Sequence, residues 1–87
     1  MQIEFDPDKD ETNLAKHRIS LGRASEFFIV RYKVDDRFDY GETRYRAWGL
    51  LDEQPHYLAF AVRDGRMRAI SLRRCHQKEF DRYVGET

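Results

Sequence analysis

The sequence predicts an α+β protein of one domain, residues 1–87, in which an antiparallel meander of about four strands is preceded by two helices and followed by one. Three observations carry that expectation. Thr43–Leu51 and Arg66–Arg73 alternate side chains with the period of two that an extended strand imposes. Asp64-Gly65 stands between the apolar run Tyr57–Arg63 and Arg66–Arg73 as a two-residue hairpin signal, because Gly accepts positive φ without steric cost. Apolar residues recur at helical spacing before and after this region.

In chain order, Ile3–Phe5 reads as a short strand that ends at Asp6-Pro7, where Asp is a favoured N-cap and Pro suits the first helical position. The helix that follows should run to about Lys16 or His17. At 100° per residue it carries Lys9, Asn13, Lys16 and His17 on one stripe, beside Leu14. Ser20 is the next N-cap candidate, and Leu21, Ala24, Phe27 and Phe28 predict a second, core-facing helix ending near Ile29 or Val30. Val34–Tyr40 is acidic and polar and predicts a short strand or irregular edge. Its Asp35, Asp36 and Asp39 lack EF-hand spacing, so a solvated loop is expected there rather than a cation site. Thr43–Leu51 predicts a strand with Arg44, Arg46, Trp48 and Leu50 on one face, and Asp52-Glu53-Gln54-Pro55 a turn. Tyr57–Arg63 is continuously apolar, as a central strand would be, and Arg66–Arg73 completes the hairpin. His76, Phe80, Tyr83 and Val84 share one face of a closing helix.

Length allows one small core, and the 14% of aromatic residues supply the buried area that a chain with 37% charged residues otherwise lacks. Cys75 is the single cysteine, which excludes an intrachain disulfide and a cysteine-based metal site; it reads as a small buried residue. No apolar run reaches the length of a membrane helix, and the N-terminus lacks a basic segment followed by an apolar one, so no membrane association and a cytoplasmic location are expected.

The formal net charge is zero, yet the charge is segregated. Residues 1–42 carry net −3 and residues 43–87 net +3. Arg63, Arg66, Arg68, Arg73, Arg74 and Lys78 face a single acidic residue, Asp64, between positions 61 and 78. Because screening over about 8–10 Å makes local charge outweigh distant charge, this row is the mark of a phosphate-contacting surface. Protection of a sheet edge by cations is the other reading. Likewise, Lys9 and Lys16 fit a solvated helix face, and His17 fits a helix C-terminus on electrostatic grounds alone.

Taken together, several motifs carry a resemblance: Phe5-Asp6-Pro7-x-Lys9, Asn13-x-x-Lys16-His17 with Ile19-Ser20, Gly41-Glu42-x-Arg44, and Arg63 through Ile70-Ser71-Leu72-Arg73-Arg74 with Glu79 and Tyr83. Their order and spacing over nearly the whole chain resemble the BrnT toxins, small RelE-like ribonucleases of type II toxin–antitoxin pairs. The chain departs from the family pattern at Arg18, where Gly is usual, at Ala61, where Thr is common, and at Phe80, where Arg is common. The resemblance implies a RelE-like fold and a metal-independent endoribonuclease without cofactor. It further implies an RNA substrate and a cognate BrnA-type ribbon-helix-helix antitoxin, in a complex that binds operator DNA.

Such a reaction needs a group to help the 2′-hydroxyl attack, charge to stabilise the phosphorane, and a proton for the departing 5′-oxygen. His17 is the candidate for proton transfer because its ordinary pKa lies near neutrality, and Lys16 would depress it or contact phosphate. Arg63 and Arg73 are candidates for the phosphorane, since a guanidinium makes paired bonds to phosphate oxygens. Lys9, Arg44, Arg68, Arg74 and Lys78 are candidate backbone contacts. Glu79 and Tyr83, one helical turn apart, would orient an arginine or stack a base, or else be a surface carboxylate and a core residue. His56, after a turn proline, and His76, at a helix start, are weaker candidates. A module that binds RNA or protein without cutting, and an inactive toxin fold serving in a repressor complex, are the competing classes.

Overall fold

A computed structural model describes residues 2–85. The elements are β1 (Ile3–Glu4), α1 (Pro7–His17), a 3₁₀ helix (Leu21–Glu26), β2 (Phe28–Asp35), β3 (Arg44–Leu51), β4 (Gln54–Arg63), β5 (Arg66–Arg74) and α2 (Gln77–Val84). The fold is α+β, around one five-stranded sheet of order β1-β5-β4-β3-β2. No helix among the described residues is long and apolar enough to cross a membrane.

One expectation is corrected and another is extended. The second N-terminal helix is only a 3₁₀ segment that stops at Glu26, and Phe28 opens β2, which reaches Asp35. The helical spacing of Leu21, Ala24, Phe27 and Phe28 overran its end because Phe28–Val34 is rich in β-branched and aromatic residues. Tertiary pairing with β3 decides the matter in favour of strand. The expected antiparallel meander of four is formed by β2–β5, and the sheet is mixed and five-stranded because β1 joins it: β1 pairs with β5 in parallel, Ile3 opposite Met67 and Glu4 opposite Arg68.

Both hairpins follow local chemistry. Asp64 (φ 51°) and Gly65 (φ 74°) turn β4 into β5, and Asp52 (φ 52°) and Glu53 (φ 61°) turn β3 into β4 in the same left-handed pair. Gly49 admits β2: a Cβ there would lie 2.1 Å from the Phe28 carbonyl oxygen, so any side chain would push the strand off.

The sheet has two unlike faces. Leu21 and Ala24 of the 3₁₀ helix meet Ala47, Leu51, Leu58, Phe60, Met67, Ala69 and Leu72 in the main core. On the opposite face α2 lays Tyr83 flat on buried Trp48, with ring centroids 4.1 Å apart and planes 10° apart. Edge strand β2 leaves Phe28, Val30, Tyr32 and Val34 exposed.

Asp6 caps α1 by accepting the Asp8 N–H at 2.8 Å, and Pro7 follows as expected. The C-cap is Arg18, left-handed at φ 61°, the conformation that a Gly would adopt more cheaply. One helix residue, Asn13, is buried, at 4% exposure. Its Nδ2 donates to the Leu72 carbonyl at 2.9 Å and to the Ile19 carbonyl at 2.8 Å, and its Oδ1 accepts the Leu72 N–H at 3.1 Å. The side-chain amide thus takes the place of a neighbouring strand beside β5, beyond the point where two-residue β1 ends.

Replacing this amide leaves a buried N–H and two carbonyls short of partners. Asn13→Ala should therefore lower unfolding free energy by about 3 kcal/mol, read as a reduced midpoint in denaturant at unchanged slope. A loss within a few tenths of a kcal/mol would mean that the clamp contributes little.

Candidate active site

β5 ends in Leu72-Arg73-Arg74, and the clamp fixes the last turn of α1 against that end. Lys16 and His17, the last two residues of α1, come from a helix end whose macrodipole favours cations. His17 is nevertheless pushed below its ordinary pKa of 6.5, by burial first and then by the positive charges of Arg73 and Lys16. The polar stripe and the basic row of the sequence are thus coupled electrostatically through His17 and Arg73.

A cavity of about 350 Å³ lies between α1 and β5, lined by Lys9, Lys16 and His17 with the clamp residue Asn13 and with Ile70 and Ser71. Ile70 is the extra residue in the shifted β4–β5 register: Ala59 faces Ser71 while Phe60 faces Ala69.

Arg73 itself is held from the α2 side. Glu79 accepts from both of its terminal nitrogens, Nη1 at 3.3 Å and Nη2 at 3.0 Å, and takes a third bond from Trp48 Nε1 at 3.0 Å. The guanidinium lies 4.5 Å from the centre of the Tyr57 ring, its partner across the β4–β5 ladder. Burial raises the Glu79 pKa, but the bonds from Arg73 and Trp48 outweigh it and the net displacement is downward. Glu79 is thus a half-buried ion-paired acceptor, and Tyr83 a stacking partner of Trp48.

Around Tyr83 a second cavity, of about 480 Å³, is lined by Arg46, Arg73, Lys78, Glu79 and Arg82. Arg46 was not among the residues singled out in the sequence. Its guanidinium lies 5.0 Å from the Trp48 ring and 5.2 Å from that of Tyr83, and its Nε is buried without a hydrogen bond. The signal was present, since Arg46 alternates onto the face of Arg44 and Trp48; α2 covering that face was not visible.

The other expected residues separate. Arg63 faces Arg66 beside the hairpin, and its Nε donates to Glu42 Oε1 at 2.9 Å. Seven strand residues, roughly 20 Å, divide that end of β5 from Arg73. Arg63 and Arg73 are therefore not brought together. Arg44 and Arg68 flank Ala61 in one cross-strand row, so they stand on either side of β4 on the α2 face. Arg44 also packs over Tyr40 at 4.1 Å. Arg74 points to the 3₁₀-helix face opposite His56 and lines a third cavity with His17. Among the described residues no cluster of three or more His, Cys, Asp or Glu is arranged to hold a metal ion. Cys75 is half-buried, and burial raises its thiol pKa.

A family model described as a ribonuclease toxin, BrnT, of type II toxin–antitoxin systems matches residues 5–79. No curated protein matches the chain.

The His17 environment is directly measurable. An NMR titration of the His17 ring should give a midpoint below 6.5. Arg73→Gln should move it upward without restoring the ordinary value, because burial is the larger cause. An unmoved midpoint would mean that the two side chains do not sense each other.

Proposed function

The chain belongs to the BrnT family of ribonuclease toxins of type II toxin–antitoxin systems, and from that premise we propose that it is an endoribonuclease that cleaves RNA without a metal and arrests growth. The observation that carries the reading lies at the end of β5: an arginine fixed by a carboxylate adds its charge to the burial that disfavours the cationic form of His17.

In this reading a neutral His17 takes the proton of the RNA 2′-hydroxyl as the oxygen attacks the adjacent phosphorus. A lowered pKa keeps the imidazole unprotonated at neutral pH, which is the form a general base requires. Arg73 lies against the developing dianionic phosphorane through Nε and the Nη2 N–H that Glu79 leaves free, while Glu79 fixes its orientation. Lys16 adds a second positive charge, and Lys9 supplies a contact on the α1 side. Arg44, Arg68 and Lys78 receive flanking phosphates, and Arg74 serves the phosphate nearest His17. Tyr83 with Arg46 offers a stacking and cationic surface for a base. Arg63, tied to Glu42, acts at a distance as a further backbone contact rather than on the scissile phosphate. Products are a 2′,3′-cyclic phosphate and a 5′-hydroxyl.

The partner is a cognate BrnA-type ribbon-helix-helix antitoxin that silences the toxin, in a complex that binds operator DNA. Exposed apolar residues of β2 suit a protein partner.

Purified protein should cleave single-stranded RNA in EDTA. Arg73→Ala and His17→Ala should each reduce the rate by about 100-fold or more, whereas Arg63→Ala should chiefly weaken RNA binding and its salt dependence. The acid limb of the rate profile should have its midpoint below 6.5, because burial and the neighbouring charges disfavour the protonated base. Salt-dependent binding without cleavage would instead identify a non-catalytic module, and activity surviving Arg73→Ala would remove the site assignment.

A further inference from the structure

Among the described residues β2 is the long sheet edge that no other strand pairs with. It stands last in the strand order, whereas the opposite edge is closed by β1 and, beyond it, by the Asn13 clamp. Past the bulge at Val30, Arg31–Asp35 pairs regularly with β3 and alternates two chemistries. Tyr32 and Val34 stand opposite Ala47 and Tyr45, on the face of the main core, yet they are 60% and 53% exposed. The Tyr32 ring meets Tyr45 edge-on at 6.0 Å, and the two border an apolar groove of about 270 Å³ with Ile29, Phe60 and Val62. Arg31 and Lys33 stand opposite Trp48 and Arg46, on the α2 face, where the Lys33 ammonium lies 5.2 Å from the Tyr83 ring. Asp35, the one acid of the strand, is spent within the chain: Arg37 donates to both of its oxygens and Tyr40 to one.

An unpaired edge offers its N–H and C=O groups to any extended chain, and natural sheets blunt such edges with charge and bulges. Here the blunting is selective. Two copies joined β2 to β2 about a two-fold axis normal to the sheet keep like faces together, so cation meets cation at the centre of the pair, which destabilises it. An incoming strand with acidic residues on the α2 side and apolar ones on the groove side meets the opposite charge and a surface that already excludes water poorly.

We propose that β2 is the docking edge for an extended segment of a protein partner, alternating apolar and acidic residues, which adds to the sheet as a further strand. Its backbone pairs with the outer groups of β2, its apolar side chains enter the groove beside Tyr32 and Val34, and its carboxylates meet Arg31 and Lys33. The inference goes beyond the ribonuclease reading and does not depend on it, since docking at β2 needs no cleavage of RNA.

The test uses the full-length chain and short fluorescent peptides, read by anisotropy. A peptide alternating valine and glutamate should bind, with an affinity that falls as salt rises, and one alternating valine and lysine should not. Successive N–H groups of a strand point to opposite edges, so methylating the amide nitrogens of the valines, or instead those of the glutamates, should abolish binding in one case and spare it in the other. Arg31→Glu, with thermal unfolding checked to show a folded chain, should weaken the valine–glutamate peptide by about fivefold or more and admit the lysine peptide. Equal binding of a peptide with the same residues in two blocks would show attraction by charge alone and overturn the proposal. Binding of both methylated peptides, or of no peptide in the set, would overturn it as well. Dimerisation of the unchanged chain that Tyr32→Asp abolishes would do the same, because a second copy would then occupy the edge.

Discussion

One primary amide holds the two halves of this molecule together. Asn13 reaches from α1 to the backbone of Leu72 and satisfies both its N–H and its carbonyl, as an adjacent strand would. The sheet needs something there, because β1 pairs with only Met67 and Arg68 and the outer edge of β5 continues to Arg74. A helix has no free backbone groups along its side to offer, so a side chain that both donates and accepts has to serve. The third bond, to Ile19, fixes the chain leaving α1 and hence the last turn on which Lys16 and His17 stand. The position of His17 relative to Arg73 follows from this.

Glu79 does for the opposite face what Asn13 does for the first. It joins α2 to β3 through Trp48 and to β5 through Arg73, and it keeps a guanidinium in place on a surface crowded with other cations. Arg73 is consequently gripped by α2 on one side while its charge bears on His17 at the end of α1. Arg46 and Arg82 lie beside the aromatic ring of Tyr83. The surface thus remains cationic although the chain as a whole is neutral.

Local chemistry made much of this legible in advance. Asp6-Pro7 and Asp64-Gly65 specify their own conformations, and the alternation across Arg44–Leu51 needs nothing beyond the strand period. Phe27 and Phe28 misled because apolar spacing over a few residues fits a helix and a bulged strand alike, and pairing with β3 at Phe28, Ile29 and Arg31 decided between them. The parallel partner of β1 lies more than sixty residues away and leaves no local trace. For the candidate site, sequence identified the Lys16-His17 pair and the arginine row but could not say which arginine is near the histidine. That depends on α1 docking at Leu72, next to Arg73 and a whole strand length from Arg63.

The central claim is a place: the scissile phosphate belongs at the junction of α1 and the end of β5. A crystal structure with a short RNA blocked at one 2′-hydroxyl by a methyl group measures it directly. The account predicts that the phosphate next to the blocked sugar lies within hydrogen-bond reach of Arg73 and His17, with the neighbouring phosphates along Arg44 and Arg68. A phosphate held instead by Arg63 and Arg66 at the hairpin, with His17 untouched, would contradict it.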